Sequence, residues 1–158
     1  MSTDSTWLTP DAARKLQDEL EELEGPGRVE ITARIAEARS HGDLRENADY
    51  DAAKNEQGMM EARIRQIRHI LENSVIKEAE DTGQVQVGSV VTVIDSDGDE
   101  LEYFVASPEN KVAGLLLASP QGPLGQALMG AGVGDQVSYE APAGTFTLEV
   151  KAVRPYEG

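Results

Sequence analysis

Tyr50-Asp51-Ala52-Ala53-Lys54-Asn55-Glu56-Gln57-Gly58-Met59-Met60-Glu61-Ala62-Arg63-Ile64-Arg65-Gln66-Ile67-Arg68-His69-Ile70-Leu71 decides the fold. Tyr50, Ala53, Gln57, Met60, Ile64, Ile67 and Leu71 recur at alternating steps of three and four, which puts one narrow seam on a helix. Upstream, Leu16, Leu20, Leu23, Ile31, Ile35 and Ala38 form a second such series. Thr9-Pro10-Asp11 opens that first arm with a hydroxyl cap, a proline at the first helical position and an acid at the positive end of the dipole.

The two series match if the chain folds back antiparallel. Position numbers of facing residues total 87 for Leu16 with Leu71, Leu20 with Ile67 and Leu23 with Ile64. They total 88 for Ile31 with Gln57, Ile35 with Ala53 and Ala38 with Tyr50. One register thus predicts a helical hairpin turning near positions 43–44. At 1.5 Å per residue its arms run roughly 40 Å. Gly25-Pro26-Gly27 interrupts the first arm and is expected to kink or locally break it, as a bend or as a hinge.

Outward from the hairpin, the composition changes. Eleven of the 14 basic residues lie before Glu78, whereas 11 of the 15 glycines lie after it. The expected organisation is α+β: a coiled-coil hairpin over 1–78, a linker over 79–86 and a small α+β domain over 87–158. Strands are expected over Val87–Ile94, Leu101–Ala106 and Val112–Ala118, with a short helix over Leu124–Gly130. A last hairpin joins Gln136–Tyr139 to Thr145–Val153 around Ala141-Pro142-Ala143-Gly144. Asp95-Ser96-Asp97-Gly98-Asp99-Glu100 reads as a hairpin turn. It fails as a calcium loop, because its glycine comes at the fourth position and Ala106 stands where the loop's last glutamate belongs.

Charge and composition remove whole classes of function. The 158 residues carry a net charge of −15, which argues against a basic surface gripping duplex DNA. There is no cysteine and there are two histidines, so disulfides, thiolate zinc sites and cysteine nucleophiles are excluded. No apolar run approaches a membrane span and no signal pattern opens the chain, so a cytoplasmic protein is expected.

Chemistry is expected at the fold point, Gly42-Asp43-Leu44-Arg45-Glu46-Asn47. Gly42 can end the first arm in a left-handed conformation. Asp43 and Glu46 lie three apart, so on a helical turn their carboxylates share a side. They could form a capping box for the second arm, or share a divalent cation; Asn47 is an alternative cap. Two carboxylates alone are a poor Mg²⁺ site, because that ion takes six ligands in octahedral geometry. Another molecule would have to complete it.

The stretch from Ala38 to Lys54, Ala38-Arg39-Ser40-His41-Gly42-Asp43-Leu44-Arg45-Glu46-Asn47-Ala48-Asp49-Tyr50-Asp51-Ala52-Ala53-Lys54, resembles the tip of bacterial GreA-type transcript cleavage factors, the Gre family. The likeness resumes at Val87-Gly88-Ser89-Val90-Val91, Pro123-Leu124-Gly125-Gln126-Ala127-Leu128, Val133-Gly134-Asp135 and Ala141-Pro142-Ala143-Gly144. The resemblance implies an FKBP-like second domain that docks on bacterial RNA polymerase. It implies a hairpin that enters the polymerase secondary channel, and tip acids Asp43 and Glu46 that help hold a catalytic Mg²⁺ shared with the polymerase. The backtracked RNA 3′ end would then be cut and elongation resumed.

Arg39, Lys54 and Arg63 match positions where the family tends to be basic, and with Arg45 they make up a candidate RNA-contact patch; surface ion pairing is the alternative for each. Tyr50 either stacks on a base or packs in the seam. A monomer is expected, with no metal of its own when isolated. Prolyl isomerase activity does not follow from the fold, since function lives in sites. A channel-binding inhibitor of the Gfh type, without cleavage activity, is the alternative function.

Overall fold

The computed structural model describes residues 5–42 and 47–157. They form two compact units: Arg14–Asn73, and the residues up to Ala13 together with those from Ser74 onward. The division expected from sequence, after Glu78, draws this line differently.

The first unit is the antiparallel hairpin. Helix α1 (Pro10–Glu22) runs through one π-helical turn (Leu23–Gly27) into α2 (Arg28–Ser40), and α3 (Ala48–Glu72) returns. Thr9 caps α1 as its sequence signature implies, its Oγ1 accepting the Ala12 N–H at 2.9 Å. With 25 residues, α3 spans about 37 Å. Its seam residues Ala53, Ile64 and Ile67 are buried, as are Leu16, Leu20, Ile31, Ile35 and Ala38 on the first arm. Ile31, Ile35 and Ala53 make one apolar cluster, with Tyr50 and Met60 packed against it.

The Gly25-Pro26-Gly27 triplet perturbs the helix without ending it. Glu22, Gly27 and Arg28 keep right-handed helical dihedrals, and the Arg28 N–H reaches the carbonyls of Leu23 and Gly25. Proline offers no N–H, so the ladder is re-registered over one wider turn. Gly27 has its own reason to be glycine: a Cβ there would sit 3.1 Å from the Glu22 carbonyl oxygen and 3.2 Å from Met60 Sδ.

The hairpin is edged by ion pairs between its arms. Arg28 binds Glu61 through Nε at 3.1 Å and Nη2 at 2.9 Å, and Arg34 binds Glu56 at 2.6 Å. Arg63 binds Glu19, and Arg68 binds Glu24. Arg28–Glu61 and Arg34–Glu56 follow the antiparallel register of the seam, whereas the Arg63–Glu19 and Arg68–Glu24 pairs reach diagonally across it.

The second unit is built on a five-stranded sheet of order β5-β4-β3-β7-β6, from β3 (Ser89–Ile94), β4 (Glu100–Val105), β5 (Leu116–Ala118), β6 (Gln136–Ala141) and β7 (Gly144–Pro155). Short helix α4 (Pro123–Leu128) contributes Leu128 to a core with Val91, Val93, Val105, Leu148 and Val150. The third strand is shorter than the sequence suggests: pairing begins at Leu116 and runs parallel to β4, so 112–115 is a crossover rather than part of a meander.

Ser5–Leu8 is a feature that sequence reading leaves out. Its β1 (Thr6–Leu8) pairs in parallel with β2 (Ser74–Ile76). Trp7 packs edge-on against Phe104, and fully buried Asn110 binds the backbone on both sides of Leu8. Its Oδ1 accepts the Thr9 N–H at 2.9 Å, and its Nδ2 donates to the Trp7 carbonyl at 2.9 Å. No described helix is long and apolar enough to cross a membrane.

Candidate functional site

The candidate site lies where α2 ends and α3 begins. Asp43, Arg45 and Glu46 lie outside the described residues, so the site is built from what flanks them.

α2 closes with His41 still right-handed and Gly42 at φ +101°, a conformation open to glycine at little cost. The Gly42 N–H reaches the Arg39 carbonyl at 3.3 Å, and the His41 N–H reaches that of Ala38 at 3.2 Å. α3 opens with Asn47 as its cap, the second of the two caps the sequence offers; the capping box of Asp43 and Glu46 lies outside the described residues. Asn47 is extended, at φ −88° and ψ 92°, and its Oδ1 accepts the Tyr50 N–H at 3.0 Å. Asp49 and Asp51 place negative charge in the first turn of α3, where the helix dipole favours it.

The same Asn47 reaches across to the other arm. Its Nδ2 donates to the Ala38 carbonyl at 2.6 Å. The assignment is forced by chemistry: a backbone N–H can only donate, so Oδ1 must face Tyr50, and the amide nitrogen is left for a carbonyl. Sequence reading identified the cap but had no signal for this second bond.

Next to it, the Arg39 guanidinium lies 5.7 Å from the centre of the Tyr50 ring, within cation–π range. Tyr50 is half-buried against the Ile31, Ile35 and Ala53 cluster, so it serves the seam and carries Arg39 on its outer face. A hollow of about 210 Å³ opens on the flank of the tip between Ala38 and His41 on one arm and Asp49 and Ala53 on the other.

Of the basic residues singled out from sequence, Arg45 lies outside the described residues, and Arg39, Lys54 and Arg63 stand at different heights along the hairpin. Arg39 sits in the last turn of α2 at the tip. Lys54 is exposed two turns into α3, its ammonium donating to Gln57 Oε1 at 3.1 Å. Arg63 lies far down the arm, with Nε and Nη2 on the Glu19 carboxylate at 2.7 and 2.8 Å and Nη1 on Gln66 at 2.7 Å. That hydrogen bonding holds the Glu19 carboxyl below its ordinary range, against the smaller opposing effect of burial. Glu61 is lowered in the same way by its bonds to Arg28. Arg65 adds a smaller electrostatic contribution in the same direction.

Among the described residues, the one close-set group of three carboxylates is Asp95, Asp97 and Asp99, in the turn after β3. That turn accounts for them. Asp95 Oδ1 accepts the N–H groups of Asp97 and Asp99, both at 2.9 Å, and Gly98 takes φ +84°.

Comparison with known proteins covers the whole chain. Residues 6–76 match the family described as "Transcription elongation factor, N-terminal", and residues 80–155 match "Transcription elongation factor, GreA/GreB, C-term". The chain is 46% identical over 162 residues to transcription elongation factor GreA of Streptomyces avermitilis, covering 99% of this chain and 98% of the relative. It is 41% identical over 157 residues to GreA of Clostridium perfringens, covering 98% and 99%. Among solved structures, GreA factor homolog 1 of Thermus thermophilus aligns at 32% identity over 95% of this chain and 99% of its own, with a TM-score of 0.44.

Proposed function

This chain belongs to the GreA/GreB family of transcription elongation factors, and we propose that it works as a transcript cleavage factor, lending its hairpin tip to the active site of RNA polymerase. In this reading the tip enters the secondary channel of a backtracked complex. Asp43 and Glu46 then join the polymerase's own groups beside the scissile RNA phosphodiester. The reaction stays the polymerase's; this chain is a removable part of its catalytic centre.

The observation that supports it is the way the two arms end. Gly42 closes α2, Asn47 opens α3, and only Asp43-Leu44-Arg45-Glu46 stands between them at the end of a hairpin whose sides are committed to seam and ion pairs. The donor chemistry fits Mg²⁺ as a partial set: two carboxylates supply some of six oxygens, and the rest come from the polymerase, the RNA and water. Mg²⁺ held there would stabilise charge developing on the phosphate. Asp43 and Glu46 would orient it, while Arg39 and Lys54 meet phosphates of the extruded RNA.

The test is a stalled, backtracked polymerase complex incubated with this protein and Mg²⁺. Release of short 3′-terminal RNA fragments supports the reading. Binding with inhibition and no fragments would replace it with a Gfh-like inhibitor of the same architecture.

A further inference from the structure

Asn47 makes two bonds with two different helices. Its Oδ1 accepts from the Tyr50 N–H, 3.0 Å, which starts α3; its Nδ2 donates to the Ala38 carbonyl, 2.6 Å, in the last turn of α2. A cap needs only the first. The second ties the arms together next to the four residues that join them. The Ala38 carbonyl lies in the last turn, where it lacks an i+4 partner and accepts the longer 3.2 Å bond from the His41 N–H, so a lone pair remains for a donor from the other arm. Ala38 is itself buried, so its backbone cannot shift without disturbing the seam. Arg39, the next residue along, lies over Tyr50 of the other arm, so a second contact crosses the arms within one turn of the first.

We propose that Asn47 is a positioning residue: by clamping Ala38 of α2 to the start of α3 it sets the register and separation of the two arms, and so the placement of Asp43 and Glu46 between them. For its catalytic consequence the inference rests on the cleavage reading above; the clamp itself does not. Four residues strung between fixed ends have few arrangements, whereas the same four between sliding ends have many. Asp43 and Glu46 would then reach their partners only part of the time.

Asn47→Asp separates the two bonds. Aspartate keeps a capping oxygen for Tyr50 but has no N–H for Ala38, and turns a second oxygen toward that carbonyl. Because the chain lacks cysteine, nitroxides can be placed on Glu37→Cys and Asp51→Cys, both exposed and one on each arm. The dipolar spectrum of the labelled protein should give a wider inter-arm distance distribution in Asn47→Asp than in the parent, with unchanged helical circular dichroism. In the backtracked-complex assay, cleavage at saturating factor should fall on the order of tenfold or more, as misplacement of reacting groups by about 1 Å implies. The factor concentration giving half-maximal effect should not move.

An unchanged distance distribution overturns the clamp. A widened distribution with undiminished cleavage overturns its role in positioning the acids. Absence of cleavage with the parent protein overturns the functional reading and the catalytic role with it, while the distance measurement still decides the clamp.

Discussion

Arg63 grips Glu19 across the hairpin with two hydrogen bonds, Nε to Oε2 at 2.7 Å and Nη2 to Oε1 at 2.8 Å. A guanidinium matched this way to a carboxylate is held in place by geometry as well as charge. Its side chain and that of Glu19 remain 36% and 41% exposed, so solvent limits the gain to about 0.5–1 kcal/mol. Glu19→Gln should therefore lower the thermal midpoint of the hairpin slightly, and Arg63→Gln should do the same.

The pH dependence follows from the lowered Glu19 carboxyl. Its stabilisation is present above the ordinary carboxylate value of 4.5 and is lost as pH falls through the depressed value in the folded protein. Glu19→Gln should consequently show a shallower loss of stability below that pH than the parent, measured by urea unfolding. Equal acid slopes would mean the pair contributes nothing.

Lys54 behaves differently from Arg63. Among the described residues its ammonium is bonded to Gln57 alone, on an exposed face, so reversing its charge disturbs little structure. Lys54→Glu is expected to keep the thermal midpoint and weaken cleavage chiefly on complexes with longer extruded RNA. Equal rates on long and short extrusions would take Lys54 out of the RNA path.

The π-turn makes different predictions for its two glycines. A Cβ on Gly25 meets nothing within 4 Å beyond its chain neighbours, so a gain of about 0.5–1 kcal/mol from reduced backbone entropy of the unfolded chain is set against crowding by the following Pro26 ring, and Gly25→Ala should change stability little. A Cβ on Gly27 meets the Glu22 carbonyl and Met60, and the first of these is backbone that cannot step aside. Gly27→Ala should destabilise. Thermal melts of the two variants, run side by side, check that Gly27→Ala loses more than Gly25→Ala.

Asn110 ties the residues around Leu8 to the rest of the second unit, and it is 1% exposed. Asn110→Ala would leave the Thr9 N–H and the Trp7 carbonyl without their described partner. A loss of about 2–6 kcal/mol in denaturant unfolding is expected, from two buried polar groups at about 1–3 kcal/mol each.

Much of the architecture could be read directly from the chain, for identifiable reasons. The hairpin was legible because a seam repeating at three and four residues leaves a periodic trace, and because two such traces must agree in register. The Asp95–Asp99 turn was legible because the glycine position contradicts a calcium loop. Strand β1 was not, since three residues carry no period and their partners lie at Ser74–Ile76. Neither was the parallel sense of β5, which depends on the crossover after Asn110 rather than on any local pattern. Around the tip, the residue types could be read but their pairings could not. Arg63 and Arg39 look alike in sequence; one is committed to Glu19 and the other rests on Tyr50, and only packing distinguishes them.

The central claim is that the carboxylates of Asp43 and Glu46 complete a Mg²⁺ site of the polymerase. The most direct test is the rate of 3′-RNA cleavage in a backtracked complex with the Asp43→Ala, Glu46→Ala protein at a concentration shown by competition to saturate the polymerase. Cleavage falling to the rate of polymerase alone, with binding intact, is the result expected. Cleavage at the parent rate would contradict the account.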